Sequence, residues 1–242
     1  MTSEDLRTKI GPWLRTVIVF SLLAAVLLCG LRILSWNTLG QSSSRLLTLV
    51  NAWNPTSETG YSVRLTGVEA NLQADRACAS ALKKMLADCR EAGCRPLLLS
   101  AYRSVDDQLV LFDETVQDRI DQGLSPAEAE DAVARLIARP GRSEHELGLA
   151  FDIVDEDHPL RDETQAATPT AVWLSENSWR YGFVLRYPEG TEEITGYSWH
   201  PWHYRYVGED VAENLYTLGI TLEEYLSLFY SEEAAVVYDE KS

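Results

Sequence analysis

The sequence predicts an α+β domain, in which helices flank a small, mainly antiparallel sheet, behind one N-terminal transmembrane helix. Three observations lead to this prediction. Helical and strand-like patterns follow one another without the regular alternation of a parallel β-α-β sheet. The 242 residues are 45% apolar, which is enough for a sizeable core. The stretch from Thr16 to Leu31 carries no charge and is almost purely apolar.

That uncharged stretch is the first predicted element. A bilayer core requires about 20 helical residues, and extension of the run to Trp36 supplies them, with Arg32 able to reach the interface. The small residues of a signal-peptidase site do not follow the run, which argues against a cleaved signal peptide. We therefore expect a cytoplasmic segment at 1–15, a transmembrane signal anchor at 16–36, a stalk at 37–60, the folded domain at 61–230 and an acidic tail at 231–242.

Capping signals and hydrophobic spacing divide the outer domain. Residues 37–68 are polar without a clear period, which is typical of linker and irregular chain. Ser104 with Asp107, Ser125 with Glu128 and Thr221 with Glu224 have the spacing of helix N-terminal capping boxes. The helices are expected at about 69–91, 104–122, 125–138, 170–181 and from 221, and the strands at 95–101, 149–154, 182–186 and 203–207.

The charge balance is strongly acidic. Asp and Glu number 37 against 21 Lys and Arg, for a formal charge of −16. Such a field repels phosphate backbones, so we expect no nucleic-acid partner.

The cysteines do not have the spacing of a zinc finger. Cys29 lies in the predicted anchor, and Cys78, Cys89 and Cys94 leave an odd number in the outer domain. We interpret these three mainly as small core residues, with a Cys89–Cys94 disulfide left open.

Three of the four histidines stand in short segments that also contain Gly, Pro or Trp. His145 follows Pro140-Gly141, Asp152 comes seven residues later in an apolar strand, and His203 lies downstream beside Trp202. Two imidazoles and one carboxylate can hold zinc and leave one position open for water. Spacing alone leaves a second interpretation open, because an isolated His is more often a surface residue or a satisfied core residue.

Three sequence blocks resemble the VanY-type D-alanyl-D-alanine carboxypeptidases, which are zinc peptidases of bacterial cell-wall metabolism. They are the block 100–104 (SAYRS) with Gln108, the pattern Ser143-x-His145-x-x-Gly148-x-Ala150-x-Asp152, and the block 201–208 (PWHYRYVG). The spacer 173–183 is also similar to that family, and the resemblance covers roughly 49–211.

The resemblance implies a role for each matching residue. His145, Asp152 and His203 would be the ligands of a Zn²⁺ ion. Arg103 would face the substrate and hold the polarised carbonyl oxygen or the terminal carboxylate. Gln108 and Ser143 would form hydrogen bonds to the substrate, or would instead be local turn and capping residues.

Position 200 departs from the family pattern. The residue three before the last zinc ligand is normally the general-base Glu, whereas this chain has His200. His200 could replace that base, since an unperturbed imidazole titrates near pH 6.5. Alternatively, it could mark a site with poor turnover, or act as a further ligand that closes the metal site. Glu144, Glu146, Glu192 and Glu193 are expected to be solvated.

The favoured hypothesis is a catalytically active, membrane-anchored, extracytoplasmic enzyme of a bacterial cell membrane. It would remove the terminal D-Ala from peptidoglycan stem peptides, with Arg103 and His200 as its catalytic side chains. One alternative is a catalytically impaired zinc module that binds or regulates through wall peptides. A third hypothesis is an endopeptidase or dipeptidase that acts on another wall peptide bond.

Overall fold

The structure, a computed structural model, describes residues 45–230. This part of the chain contains six strands: β1 (Leu65–Gly67), β2 (Gln73–Asp75), β3 (Pro96–Ser100), β4 (Ala150–Asp155), β5 (Phe183–Leu185) and β6 (His203–Tyr206). The α-helices are α1 (Ala79–Glu91), α2 (Val105–Asp121), α3 (Pro126–Ala134), α4 (Pro169–Asn177), α5 (Glu192–Thr195), α6 (Glu209–Leu218) and α7 (Leu222–Phe229). Short 3-10 helices occur at Thr56–Glu58, Glu144–Leu147, Glu163–Ala167 and Ser178–Tyr181.

The main sheet has four antiparallel strands in the order β3-β4-β6-β5, and β1 with β2 forms a separate hairpin. Strand β4 lies inside the sheet, and all six of its residues are buried. Phe151 and Ile153 pack into the main core with Leu82 and Leu86 of α1. Because side chains alternate along a strand, Asp152 points to the opposite face. The predicted α+β class with a small antiparallel sheet is confirmed.

The predicted capping boxes are present. Ser104, Ser125 and Thr221 each accept a hydrogen bond from the backbone N–H three residues later, and the acidic side chain at that later position bonds back. These caps start α2, α3 and α7. Helix α1 buries Leu82, Met85, Leu86 and Cys89 at helical spacing, and Gly93 follows its end with a positive φ of 88°.

Three boundaries differ from the prediction. The helix expected from 69 begins only at Ala79, because Ala70 and Asn71 adopt left-handed conformations in the turn between β1 and β2. The helix expected to run to 138 ends at Ala134. In the predicted stalk, residues 45–60 pack on the domain, and Leu47, Val50 and Asn51 are buried.

The predicted anchor at 16–36 and the acidic tail at 231–242 lie outside the described residues. Within 45–230, no helix has both the length and the apolar character required to cross a membrane. Cys78 and Cys89 are buried as expected, Cys94 is partly exposed, and all three are free thiols.

Candidate metal centre and active-site cleft

Two predicted ligands are placed by strand register and the third by a short helix. Asp152 of β4 is directly opposite His203 of β6 in the antiparallel ladder. His145 lies in the 3-10 helix Glu144–Leu147, whose first turn is capped by the Ser143 hydroxyl. Gly148 ends this helix at φ +66°, and a Cβ there would lie 2.8 Å from the backbone N of Asp75. The backbone at position 148 therefore requires glycine.

The three side chains converge on one point. His145 Nε2 lies 3.4 Å and His203 Nδ1 lies 3.1 Å from the same oxygen, Asp152 Oδ1. Bonds of about 2.0–2.1 Å at tetrahedral angles would place zinc ligands ~3.3 Å apart. The three residues form a candidate metal group in which the ligand atoms lie within 4.8 Å of one another. The observed spacing therefore fits zinc.

The tautomer of His145 strengthens this fit. Its Nδ1 is 2.7 Å from the carbonyl oxygen of Ala101, which can only accept a hydrogen bond, so Nδ1 carries the proton. In the neutral imidazole, Nε2 then presents a lone pair to Asp152 Oδ1. Two acceptors facing each other in a buried site require a cation between them. A proton or a metal ion can fill this role.

Electrostatics favour an ionised carboxylate at the centre. Burial opposes ionisation of Asp152, but His145 and His203 outweigh it and hold the pKa of Asp152 well below its usual value. Burial lowers the pKa of His145. For His203, burial is outweighed by the hydrogen bond to Asp152 and by the nearby carboxylate of Glu144, which together raise its pKa. The site thus combines a carboxylate with two buried imidazoles, a donor set suited to a divalent cation.

Glu144 is buried, contrary to the expectation that it is solvated. It is 1% exposed, and its Oε1 accepts hydrogen bonds from Arg186 Nε at 2.8 Å and Arg205 Nη1 at 2.6 Å. Glu146 is also buried, where it bonds to Thr56 and the backbone N of Gly141. Isolated glutamates in a sequence give no sign of distant arginine partners, so these interactions could not be predicted. The other two glutamates of that expectation, Glu192 and Glu193, are exposed.

His200 lies in the same cleft with an unpartnered nitrogen. Its ring stacks on Trp202 with centroids 4.8 Å apart, and it meets Tyr187 edge-on at 5.4 Å. Its Nε2 is buried and has no hydrogen-bond partner among the described residues. Burial, with repulsion from His203, lowers the pKa of His200 to about 3, so the imidazole is neutral. His200 is not part of the three-residue metal group.

Arg103 is held at the wall of the cleft by its neighbours. Its Nη1 donates to Gln108 Oε1 at 2.6 Å and its Nη2 donates to Ser100 Oγ at 2.8 Å. The Gln108 amide N donates to the carbonyl of Ala138, so both ends of this amide are engaged within the protein. Burial lowers the pKa of Arg103. These contacts fix the guanidinium plane and give Gln108 the task of orienting Arg103.

The cleft itself is a cavity of about 240 Å³. All seven predicted site residues line it, namely Arg103, Gln108, Ser143, His145, Asp152, His200 and His203. Ser143 also caps the 3-10 helix through the backbone N of His145. Arg161, Tyr187 and Tyr197 line the cavity as well and were not predicted. Arg161 donates to Asp152 Oδ2 at 3.1 Å. No local sequence motif predicts this contact between a loop residue and strand β4.

The family model described as VanY, D-alanyl-D-alanine carboxypeptidase, matches residues 71–209. A D-alanyl-D-alanine carboxypeptidase of Enterococcus faecalis is 38% identical over 189 residues, which cover 78% of this chain and 68% of that protein.

Two solved structures show the same fold. One is a mutant of the vancomycin resistance D,D-pentapeptidase VanY from a VanB-type cassette in complex with Zn(II), with a TM-score of 0.67 and 38% identity. It covers 75% of this chain and 99% of its own. The other is VanYB in complex with D-alanine-D-alanine, with a TM-score of 0.68, 37% identity and coverage of 75% and 97%.

Proposed function

The chain belongs to the VanY family of D-alanyl-D-alanine carboxypeptidases, and we propose that it removes the terminal D-Ala from peptidoglycan stem peptides. It is a metallopeptidase, and its cofactor is zinc. The observation that carries the proposal is the convergence of His145 Nε2, His203 Nδ1 and Asp152 Oδ1 at the wall of a cleft that also holds Arg103. Zinc bound there would supply an activated water and polarise the scissile carbonyl.

Arg103 would bind the end of the substrate. Gln108 and Ser100 hold its guanidinium, which still has N–H donors for a carbonyl oxygen or a terminal carboxylate. A cation at the cleft wall that can pair with a terminal carboxylate favours an exopeptidase over an endopeptidase.

His200 would move the proton. Its imidazole is neutral, and its unpartnered Nε2 can accept the proton of the attacking water as the oxygen–carbon bond forms. The same nitrogen would give that proton to the leaving amine of D-Ala when the C–N bond breaks. Trp202 and Tyr187 hold the ring through aromatic contacts alone, so the nitrogen is free for this exchange.

Release of D-Ala tests this function. The zinc-loaded full-length chain should release D-Ala from a stem pentapeptide that ends in D-Ala-D-Ala, well above the rate of His203→Ala. Free D-Ala-D-Ala dipeptide and a cross-linked stem peptide serve as comparison substrates. Preference for either of these over the pentapeptide would favour the dipeptidase or endopeptidase alternative. Stem-peptide binding without any release would favour the impaired zinc module.

The proposal also includes the cell location. The uncharged run Thr16–Leu31, preceded by Arg7, Lys9 and Arg15, would anchor the chain in a bacterial membrane with its domain outside the cytoplasm. Membrane fractionation with protease treatment of intact spheroplasts tests this. We expect the full-length chain in the membrane fraction with its domain accessible to protease. A chain that washes off with high salt would contradict the anchor.

A further inference from the structure

Four buried charges lie directly behind the metal group. The side chains of Glu144, Arg186, Arg205 and Glu223 are each at most 1% exposed. Arg186 donates to both oxygens of Glu223 at 2.8 and 2.6 Å, and it also bonds to Glu144. The four residues come from the 3-10 helix Glu144–Leu147, the residue after β5, strand β6 and helix α7. The cluster therefore ties four separate elements together.

This cluster is neutral as a whole, with two guanidiniums and two carboxylates. Its burial is not in itself a source of stability, because desolvation of charged groups offsets much of their attraction. Stability alone therefore does not explain why four charged side chains are buried beside the metal group. The one carboxylate oxygen of the cluster that has no partner among residues 45–230 suggests another role.

Glu144 has one oxygen that the arginines do not use. Both arginine contacts are made to Oε1, while Oε2 is buried and has no hydrogen-bond partner in the described part of the chain. His203 Nε2 is likewise buried and unpartnered there. These two atoms face each other at 3.6 Å. This separation is just beyond hydrogen-bond range, so a small approach of the two side chains would pair a protonated Nε2 with the Glu144 oxygen.

We propose that Glu144 is a positioning residue that accepts the Nε2–H of His203 and so leaves the Nδ1 lone pair to face the metal group. This inference rests on the proposed assignment of His203 as a zinc ligand. The arginines hold Oε1, which fixes the direction of Oε2. Glu223 extends this support to helix α7, because it holds Arg186 in place. A carboxylate that orients a metal-binding imidazole typically affects metal affinity by about 10–100-fold.

Glu144→Gln is the sharpest variant for this idea. The amide keeps the shape of the side chain and can still accept from the arginines through its oxygen. Its nitrogen would then face His203 Nε2 as a donor and favour the opposite tautomer, with a proton on Nδ1. We expect zinc affinity of the full-length chain, measured by competition with a chromogenic chelator, to fall about 10–100-fold.

Glu146→Gln is the matched control. Glu146 is a buried glutamate of the same 3-10 helix, but its oxygens bond to Thr56 Oγ1 and the backbone N of Gly141. This variant should lower the thermal stability while leaving zinc affinity within about twofold of wild type. Equal losses of affinity in both variants would mean that Glu144 acts only through stability, and would overturn the proposal.

A second measurement needs no variant. ¹⁵N NMR of the zinc-loaded wild-type chain, with ring-labelled histidine, should show His203 protonated at Nε2 and metal-bound at Nδ1. The opposite arrangement would overturn the proposal. If His145→Ala and His203→Ala both retain zinc, the ligand assignment itself fails. If those variants lose zinc while Glu144→Gln keeps full affinity, only the role of Glu144 fails.

Discussion

Two parts of the cleft are built in different ways: the ligand side, formed by the three-residue metal group, and the turn that carries His200. On the ligand side, Asp152 and His203 face each other in a strand ladder, and His145 is fixed by a hydrogen bond to the Ala101 carbonyl. His200 is held instead through backbone hydrogen bonds and aromatic packing, and its Nε2 bonds to nothing in 45–230. The ligand side depends on the identity of each side chain. The turn fixes the backbone of residue 200, and this position can carry different side chains that transfer protons.

This difference bears on position 200, where the chain has His in place of the Glu of the family pattern. Residue 200 makes backbone hydrogen bonds to Tyr187 and His203, and these do not depend on its side chain. Replacement of a glutamate by histidine there leaves the turn and the stacking Trp202 in place. A comparable exchange at Asp152 would remove the shared oxygen of the metal group and the partner of Arg161.

The largest effect is expected from the ligand side. His145→Ala and His203→Ala should each strip zinc from the full-length chain and abolish D-Ala release, because each removes one of three protein ligands. Zinc content after gel filtration is the measurement. His158→Ala is the matched control, since His158 lies in a loop with Asp162 and Thr164 and should retain full zinc. Full zinc retention in both ligand variants would refute the ligand assignment.

A smaller effect is expected at Arg103, whose backbone N bonds to the His145 carbonyl. Arg103→Lys keeps the charge but loses the planar fork that Gln108 and Ser100 orient. Loss of a charged hydrogen bond of about 2 kcal/mol corresponds to roughly a thirtyfold lower kcat/KM. Steady-state kinetics on the stem pentapeptide measures this, with zinc content unchanged. An unaltered kcat/KM would remove Arg103 from the substrate site.

Substitution of two glycines near the metal ligands can separate the effect of steric crowding from that of backbone strain. Gly148→Ala would place a methyl group 2.8 Å from the backbone N of Asp75, whereas Gly141→Ala, also at positive φ, meets no atom within 4 Å. We expect the free energy of unfolding to fall by about 3 kcal/mol for Gly148→Ala and about 1 kcal/mol for Gly141→Ala. Urea unfolding of the zinc-free protein measures both. Equal losses would show that the contact with Asp75 is irrelevant.

The smallest effect on stability is expected at Asp155, the last residue of β4. Burial opposes ionisation of Asp155, but hydrogen bonds from Thr170 and from the backbone of Asp157 outweigh it and hold its pKa below the usual value. This stabilisation is present above the unfolded pKa of about 3.9 and is lost as pH falls through the lower folded pKa. Asp155→Asn should cost about 1–2 kcal/mol at pH 7.

The pH dependence provides the control for that variant. In urea unfolding with a chelator present, the difference in stability between wild type and Asp155→Asn should shrink as pH falls from about 5 to 3. A difference that stays constant across this range would show that ionisation of Asp155 does not contribute.

Much of the ligand side could be predicted from the sequence, because short local patterns encode it. The spacing from His145 to Asp152, the apolar strand around Asp152 and the capping boxes are all local patterns. The supporting residues could not be predicted in the same way. Glu144 depends on Arg186 and Arg205, which lie 42 and 61 residues away, and only the folded chain brings them together. The turn at Ala70 and Asn71 could not be predicted in this way: Asn commonly adopts the left-handed conformation, but Ala rarely does and strongly favours a helix.

The central claim is that His200 carries the proton in a cleft whose proposed metal ligands are His145, Asp152 and His203. The most direct test is kcat for D-Ala release by wild type, His200→Ala and His200→Glu, each with its zinc content measured. We predict turnover by the wild type, a loss of about 10²–10⁴-fold in His200→Ala with zinc retained, and activity in His200→Glu. A silent wild type beside an active His200→Glu, or an unchanged kcat in His200→Ala, would contradict the account.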